Sequence, residues 1–289
     1  MEWLSKISAA IDYIENNLDK EISYDEAARI ACCSTYYFQR MFSYISGVSL
    51  SEYIRRRKMT QAAFELQRTD SKVIDIALKY GYSSPTSFNR AFQSVHGITP
   101  MAAKNMGCTL SAYPSIQFSI KVSGGSAMSY HIEQKVGIRI VGIRIPLVED
   151  AEENMRIVPV FWEETLRKDG GISEIAVLSS GNPNGILGVT VYHNPQDIYY
   201  YIAVPSDQPV PEGMEEYVIP EAMWVVFEND GIFKEDVQSV FRRFLTEFLP
   251  FSGYEYAGLP DVEVYPICQG KPISGHSEVW IAIKKSREG

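Results

Sequence analysis

Apolar residues recur every three or four positions over the first hundred residues. Leu4, Ile7, Ile11, Ile14 and Leu18 form one such stripe, the signature of an amphipathic helix. "SYDE" at 23–26 is a capping box, with Ser23 as N-cap and Glu26 reaching back, and it predicts a second helix start. "LSEYIRRRKMTQAAFELQR" (50–68) predicts a long helix with Ile54, Met59, Ala62, Ala63 and Leu66 inward. A short helix over 72–80 follows, then one capped by Ser84 with Pro85 in its first turn. The texture changes after about 106. From 129 the pattern alternates as strands do, in "SYHIEQKVGIRIVGIRIPL", "IAVLSS", "GILGVTVYH", "IYYYIAVP", "MEEYVIP", "AMWVVFE", "DVEVYPI" and "EVWIAIKK". Helical stretches at 156–168 and 234–248 interrupt the strands. The order strands, helix, strands occurs twice, which predicts two similar α+β halves forming one sheet with helices on one face.

The helical region repeats itself. "STYYFQRMF" (34–42) and "SPTSFNRAF" (84–92) lie 50 positions apart, and Ser34, Phe38, Arg40 and Phe42 match Ser84, Phe88, Arg90 and Phe92. Helical periodicity gathers Phe38, Met41, Phe42 and Ile45 on one face, with Tyr36, Gln39, Arg40 and Ser43 opposite. The second copy turns Phe88, Ala91, Phe92 and Val95 inward and Thr86, Asn89, Arg90 and Gln93 outward. Each copy follows a short Ala-containing helix and a turn, which is the helix-turn-helix layout. Gln, Asn and Arg are the side chains whose planar ends match adenine and guanine edges in the major groove. Arg55, Arg56, Arg57 and Lys58 can meet phosphates, which set register and affinity. The expected interface with double-stranded DNA is therefore Thr35, Tyr36, Gln39, Arg40 and Ser43, then Arg55 and Arg56, then Pro85, Thr86, Asn89, Arg90 and Gln93.

Charge supports a division of labour. The net charge of −9 is unevenly spread: residues 1–29 carry −4, residues 30–107 carry +6 and everything after 107 carries −11. A basic block joined to an acidic one implies two different partners. The length of 289 residues also favours two domains over one core.

At these residues the chain resembles the AraC/XylS family of transcription regulators, specifically the Rob/MarA/SoxS type. "STYYFQRMF", "YIRRRKMTQAA" and "IDIALKYGYSSPTSFNRAFQSVHGITP" carry the likeness over about residues 4–106. The resemblance places base-reading positions on Tyr36, Gln39 and Arg40, and on Pro85, Thr86, Asn89 and Arg90. Cys32 stands where relatives often have Gly in the first turn. Pro85 and Thr86 stand where they often carry Gln-Gln.

In the acidic half no G-x-S-x-G, H-E-x-x-H or phosphate-cradling glycine loop occurs, so no enzyme, cofactor or metal site is expected. Four cysteines, two of them the adjacent Cys32 and Cys33, form neither a disulfide framework nor a metal spacing. In "VEVYPI" alternation puts Glu263 and Tyr265 on one face; in "SEVWIAIKK" it pairs Glu278 with Trp280. With the aliphatic faces beneath the helices, the expected result is both carboxylates together among aromatic rings, a setting for an organic cation. Residues 129–286 resemble a GyrI-like effector-binding domain through "VPVFWEETL", "WVVFENDG", "FRRFLTEFLPFSGYEYAG", "VEVYPI" and "EVWIAIK". That resemblance implies a late-strand glutamate at the base of an aromatic pocket, Glu263 first and Glu278 second. Trp162, Tyr192, Tyr199, Tyr201, Trp224 and Trp280 are the implied wall residues.

The expectation is a multi-domain chain: an all-α double helix-turn-helix domain (1–107), a partly ordered linker (108–128) and an α+β GyrI-like domain (129–289) with an antiparallel sheet. It is a cytoplasmic DNA-binding regulator that senses a small cationic amphiphile and works with RNA polymerase. The rival readings make the second domain a small-molecule hydrolase or a protein-interaction module. No apolar run approaches 18 residues, and the first residues lack the basic start of a signal peptide.

Overall fold

Seven helices follow one another with short turns: α1 (Glu2–Glu15), α2 (Tyr24–Ile30), α3 (Thr35–Ser46), α4 (Leu50–Arg68), α5 (Val73–Lys79), α6 (Pro85–His96) and α7 (Pro100–Ala103). The computed structural model describes residues 2–117, 127–148, 150–168, 170–194, 197–229, 235–268, 271–272 and 276–285. The chain forms two compact units.

Of the caps read from the sequence, Ser23 Oγ accepts from Glu26 N at 3.2 Å, but the Glu26 carboxylate turns to Arg29 instead of reaching back. Ser84 makes no side-chain cap bond; Ser49, not read as a cap, accepts from Glu52 N at 3.1 Å. The 19-residue α4 is buried on more than one side: Leu50, Tyr53, Ile54, Arg57, Met59, Thr60, Ala62, Ala63 and Leu66 are all inaccessible. It serves as a wall for helices on either side of it. Met59, Ala62, Ala63 and Leu66 pack with Ile76, Ala77, Tyr80, Phe88, Phe92 and Val95 of the second repeat. Ile7, Ile11, Ile14, Ala27, Ala28, Phe38 and Phe42 are the buried apolar residues of α1–α3. Within α4, Arg57 is buried and clamped: it donates to Glu15 at 2.9 Å (Nε to Oε1) and 2.6 Å (Nη2 to Oε2).

The sheet unit contains β1 (Tyr130–Lys135), β2 (Ile138–Pro146), α8 (Ala151–Arg167), α9 (Gly171–Ala176), β3 (Gly185–Asn194), β4 (Asp197–Pro205), β5 (Glu215–Ile219), β6 (Ala222–Asn229), α10 (Glu235–Arg243), β7 (Tyr254–Tyr256), β8 (Asp261–Cys268), β9 (Lys271–Pro272) and β10 (Ser277–Lys285). A π-helical turn, Phe244–Phe248, continues α10. The strand order is β1-β6-β10-β8-β3-β4-β2-β5, all antiparallel, with β7 beside β10 and β9 beside β8. Two halves follow from that order. The series β1, β2, α8, β3, β4 recurs as β5, β6, α10, β8, β10, and the halves meet where β3 pairs β8. Each half lends its first strand to the edge of the other, β1 to β6 and β5 to β2.

Register decides which side chains share a face, because residues directly opposed across antiparallel strands point the same way. Val279 opposes Glu263, Trp280 opposes Val262 and Glu278 opposes Val264. Glu263 and Glu278 therefore lie on opposite faces of the sheet, which corrects the expectation that they share one. The helix-covered face carries Glu263, Tyr265, Val279 and Ile281. The other carries Trp224, Trp280, Val226, Val262, Val264, Leu187, Val189 and Tyr201 in one apolar cluster. Among the described residues no helix is long and apolar enough to cross a membrane.

Candidate nucleic-acid interface and ligand pocket

The two repeat helices begin in the same way. In each the turn after the preceding helix contains one residue with positive φ, Cys32 at 57° and Gly81 at 86°. Cys33 N then reaches Ala28 O at 3.0 Å, and Tyr82 N reaches Ala77 O at 2.9 Å. This is one helix-ending motif used twice, with cysteine once accepting the conformation that glycine takes more easily. α3 and α6 start 50 positions apart and are both 12 residues long.

On α6 the apolar stripe Phe88, Phe92 and Val95 is buried, while Pro85, Thr86, Asn89, Arg90 and Gln93 are exposed. Asn89, Arg90 and Gln93 have no partner among the described residues. On α3 the stripe is Phe38, Met41 and Phe42; Tyr36, Gln39 and Arg40 are buried as well, which corrects the expectation that they form an exposed outward face, and Ser43 is half-buried. Thr35 is buried and its hydroxyl donates to Asp25 Oδ1, while Ser34 Oγ accepts from Tyr37 N at the helix start. Ser43 Oγ returns to Gln39 O at 3.0 Å, and Arg40 Nε donates to Tyr44 Oη at 3.4 Å, both one turn apart on the helix. At the head of α4, Arg55 and Arg56 both pair with Glu52, and Arg55 Nε has no hydrogen-bond partner among the described residues. Arg57, buried on Glu15, is not available to phosphate.

In the sheet unit the register separates the expected ligand residues into two groups. Glu263, Tyr265, Tyr192 and Trp162 belong to the helix-covered side. Glu278, Trp280, Trp224, Tyr199 and Tyr201 belong to the other. On that second side Glu278 accepts from Trp280 Nε1 at 2.8 Å, and Lys135 Nζ sits 3.9 Å from a Trp280 ring centroid. Tyr199 and Tyr201 flank Arg144, whose Cζ is 4.0 Å from the Tyr199 ring and whose Nη1 donates to Tyr201 Oη at 3.1 Å. These aromatics are occupied by the protein's own cations.

Glu263 is differently placed. Tyr265 Oη donates to its Oε2 at 2.7 Å and Tyr200 Oη to the same oxygen at 3.0 Å. Trp162 Nε1 of α8 donates to Tyr200 Oη at 2.9 Å, and the Trp162 ring meets Tyr265 edge-on with centroids 5.2 Å apart. The reach of Tyr200 across β3 depends on Gly188, which pairs with Glu263. A Cβ there would lie 2.2 Å from Tyr200 Oη and 3.0 Å from Glu263 Oε2. Tyr200 was missing from the sequence reading, which named its neighbours in "YYY". The signal was present: Tyr200 alternates in phase with Ile198 and Ile202, and Tyr199 and Tyr201 with the opposite face.

Burial raises the pKa of Glu263 above the ordinary carboxylate value, against the two phenol bonds that lower it. Burial likewise pushes both phenols well up, so they stay protonated and act as donors. Glu263 nevertheless keeps partial exposure, and its Oε1 accepts no hydrogen bond among the described residues. A cleft of about 700 Å³ lies between the end of β2 and α8, lined by Ile145, Pro146, Ile157, Val160 and Phe161 with Asp150, Glu153, Arg156 and Glu164, and Glu263 is not among its lining residues. Ile145 stands directly opposite Tyr200 in the β2–β4 ladder. In strand order Tyr200 thus lies between the cleft and Glu263. Among the described residues no group of His, Cys, Asp and Glu is arranged to hold a metal ion.

Comparison with known proteins covers both units. The helix-turn-helix domain family matches residues 27–106, and the GyrI-like small molecule binding domain family matches residues 128–284. AarP of Providencia stuartii, an HTH-type transcriptional activator, is 45% identical over 33% of this chain and 71% of its own length. The transposon Tn10 TetD protein of Escherichia coli is 43% identical over 30% of this chain, which spans 64% of TetD. A solved structure, SAV2435 bound to tetraphenylphosphonium, is 20% identical with a TM-score of 0.48, over 54% of this chain and 94% of that one.

Proposed function

The chain belongs to the GyrI-like small-molecule binding family and carries an AraC-type helix-turn-helix unit of the Rob/MarA/SoxS kind, and from that premise we propose how it senses its effector. It is a DNA-binding transcription regulator with a small-molecule binding domain. The effector is an organic cation with an apolar aromatic body, and Glu263 is its counter-ion. The observation that carries this reading is the unclaimed Oε1 of a carboxylate set among Trp162, Tyr200 and Tyr265. A desolvated carboxylate with an open oxygen is costly when empty and attractive to a cation. The acid-rimmed cleft beside Tyr200 supplies an approach for such a body, and aromatic edges and faces add cation–π attraction.

On the DNA side, α3 and α6 are the reading helices. Asn89, Arg90 and Gln93 stand exposed, without a partner among the described residues, for base edges; Tyr36, Gln39 and Arg40 hold the matching positions of the first copy but are buried and must be uncovered to read DNA. The finer points belong to the same proposal: domain limits at 1–107 and 129–289, RNA polymerase as a further partner, a cytoplasmic location, and binding without turnover.

Tetraphenylphosphonium and its anionic isostere tetraphenylborate give a direct test by thermal shift on the full-length protein. At 100 times its Kd a ligand stabilises its domain by about 2.7 kcal/mol. The cation should raise the melting temperature, the borate should not, and Glu263→Gln should abolish the effect. Equal shifts from both ions, or an unchanged shift in the variant, would remove Glu263 from the role.

A further inference from the structure

The ten residues after Gly107 have no helix or strand, yet their described backbone is held to the helical unit by side chains. Ser111 N donates to His96 Nδ1 at 3.3 Å, Tyr113 N to Thr60 Oγ1 at 3.1 Å and Ile116 N to Tyr53 Oη at 3.2 Å. Tyr113 O accepts from the buried Arg57. Leu110 and Tyr113 pack against the Met59–Phe92 core. The Tyr113 ring also lies 5.0 Å from Cζ of Arg56, whose Nε donates to Glu52 at 2.5 Å. Arg56 is thus held between a carboxylate of its own helix and a ring of this strap.

We propose that Tyr113 gates a phosphate-binding position at Arg56: with the strap docked the guanidinium is withheld, and release of residues 110–116 from α4 gives it to a DNA phosphate. The inference rests on the DNA-binding reading of the helical unit. Reversibility follows from the anchors. They are a few hydrogen bonds made by side chains, each of modest net strength, with no ladder or helix to propagate them. The strap is also the stretch of chain that leads on to the ligand domain at 128, so a ligand that tensions or relaxes the chain acts on it first. The gain on release is electrostatic and independent of sequence, because a phosphate contact carries no base information.

Counterion release makes the step measurable. Each phosphate newly neutralised steepens the slope of log K against log salt by about 0.9. Binding of the full-length chain to a random-sequence 30-bp duplex is followed by fluorescence anisotropy across a range of salt. Tyr113→Ala should steepen the slope by about 0.9, and adding Arg56→Ala to that variant should cancel the gain. Thr60→Val removes the acceptor of Tyr113 N, together with the hydroxyl's own bond to Arg56 O at 2.8 Å, while leaving the Arg56 guanidinium and the ring unaltered, and should give a similar steepening with faster amide exchange at 111–116. If both variants keep the wild-type slope while exchange at 111–116 quickens, the proposal is overturned and the DNA-binding reading stands. A wild-type chain that fails to bind the duplex overturns both.

Discussion

Glu263 is held at a cost that the fold has not removed. In the unfolded chain its carboxyl titrates near 4.5, and burial raises that value in the folded state. Below the ordinary value both states are protonated, and the group contributes nothing. As pH rises the unfolded chain ionises first, so folding is increasingly penalised until the folded carboxyl has ionised too. Glu263→Gln cannot ionise and its side-chain oxygen still accepts from the phenols. Without ligand it should therefore melt higher than wild type above about pH 4.5. The gap should widen with pH and then level once the folded carboxyl has ionised. A gap that is flat from acid to neutral pH would mean the carboxylate is not destabilised by burial. Gly188 sets the geometry in which this happens. Gly188→Ala places a methyl against Tyr200 Oη at 2.2 Å, with the β3–β8 ladder leaving little room to shift. The expected cost is about 1–3 kcal/mol of overpacking, together with loss of the Glu263-dependent thermal shift.

Among the elements, the paired turns give a test of the repeat itself. Gly81 and Cys32 occupy one conformation in two copies, and only glycine does so without a steric penalty. Gly81→Ala should destabilise by about 1 kcal/mol through backbone strain, since a Cβ there meets only Lys58 Nζ at 3.5 Å. Cys32→Gly should be close to neutral, the relieved strain being offset by greater freedom of the unfolded chain. Denaturant midpoints at constant m would report both. The repeat was legible because helix faces are local: Phe38, Phe42, Phe88 and Phe92 declare their stripe within one helix, and the serine caps lie three residues from their partners. The sheet was legible as strands but not as faces. Each strand announces its own alternation, yet whether Glu263 joins Trp280 or Val279 depends on register between β8 and β10, fixed by turns and packing elsewhere. For the same reason Tyr200 was hidden by Tyr199 and Tyr201, its face being decided by Gly188 on another strand. "IAVLSS" reads as a strand, yet Ile175 and Ala176 close α9, Val177 and Leu178 turn, and no strand forms over 175–180, because an apolar run this short does not separate strand from helix; the π-helical turn carried no pattern to distinguish it from α-helix.

For the molecule as a whole, the proposed function requires a thermodynamic bond between effector and operator. The helical block is basic and the remainder acidic, so each unit favours a partner the other would repel. A regulator needs more than two binding sites on one chain; its ligand must prefer one DNA-binding state over another. If tetraphenylphosphonium alters DNA affinity by some factor, DNA must alter tetraphenylphosphonium affinity by the same factor, because both describe one coupling free energy. For a working switch that factor should fall at roughly 5–150, or about 1–3 kcal/mol. The measurement uses a duplex that the protein itself has selected from a random pool. Cation affinity is titrated with and without this duplex, and duplex affinity with and without saturating cation. Equal factors that vanish in Glu263→Gln would make the aromatic carboxylate the origin of the switch. A cation that binds through Glu263 while both factors stay at one would leave two independent modules, and the signal would then have to pass to another partner by way of the ligand domain alone.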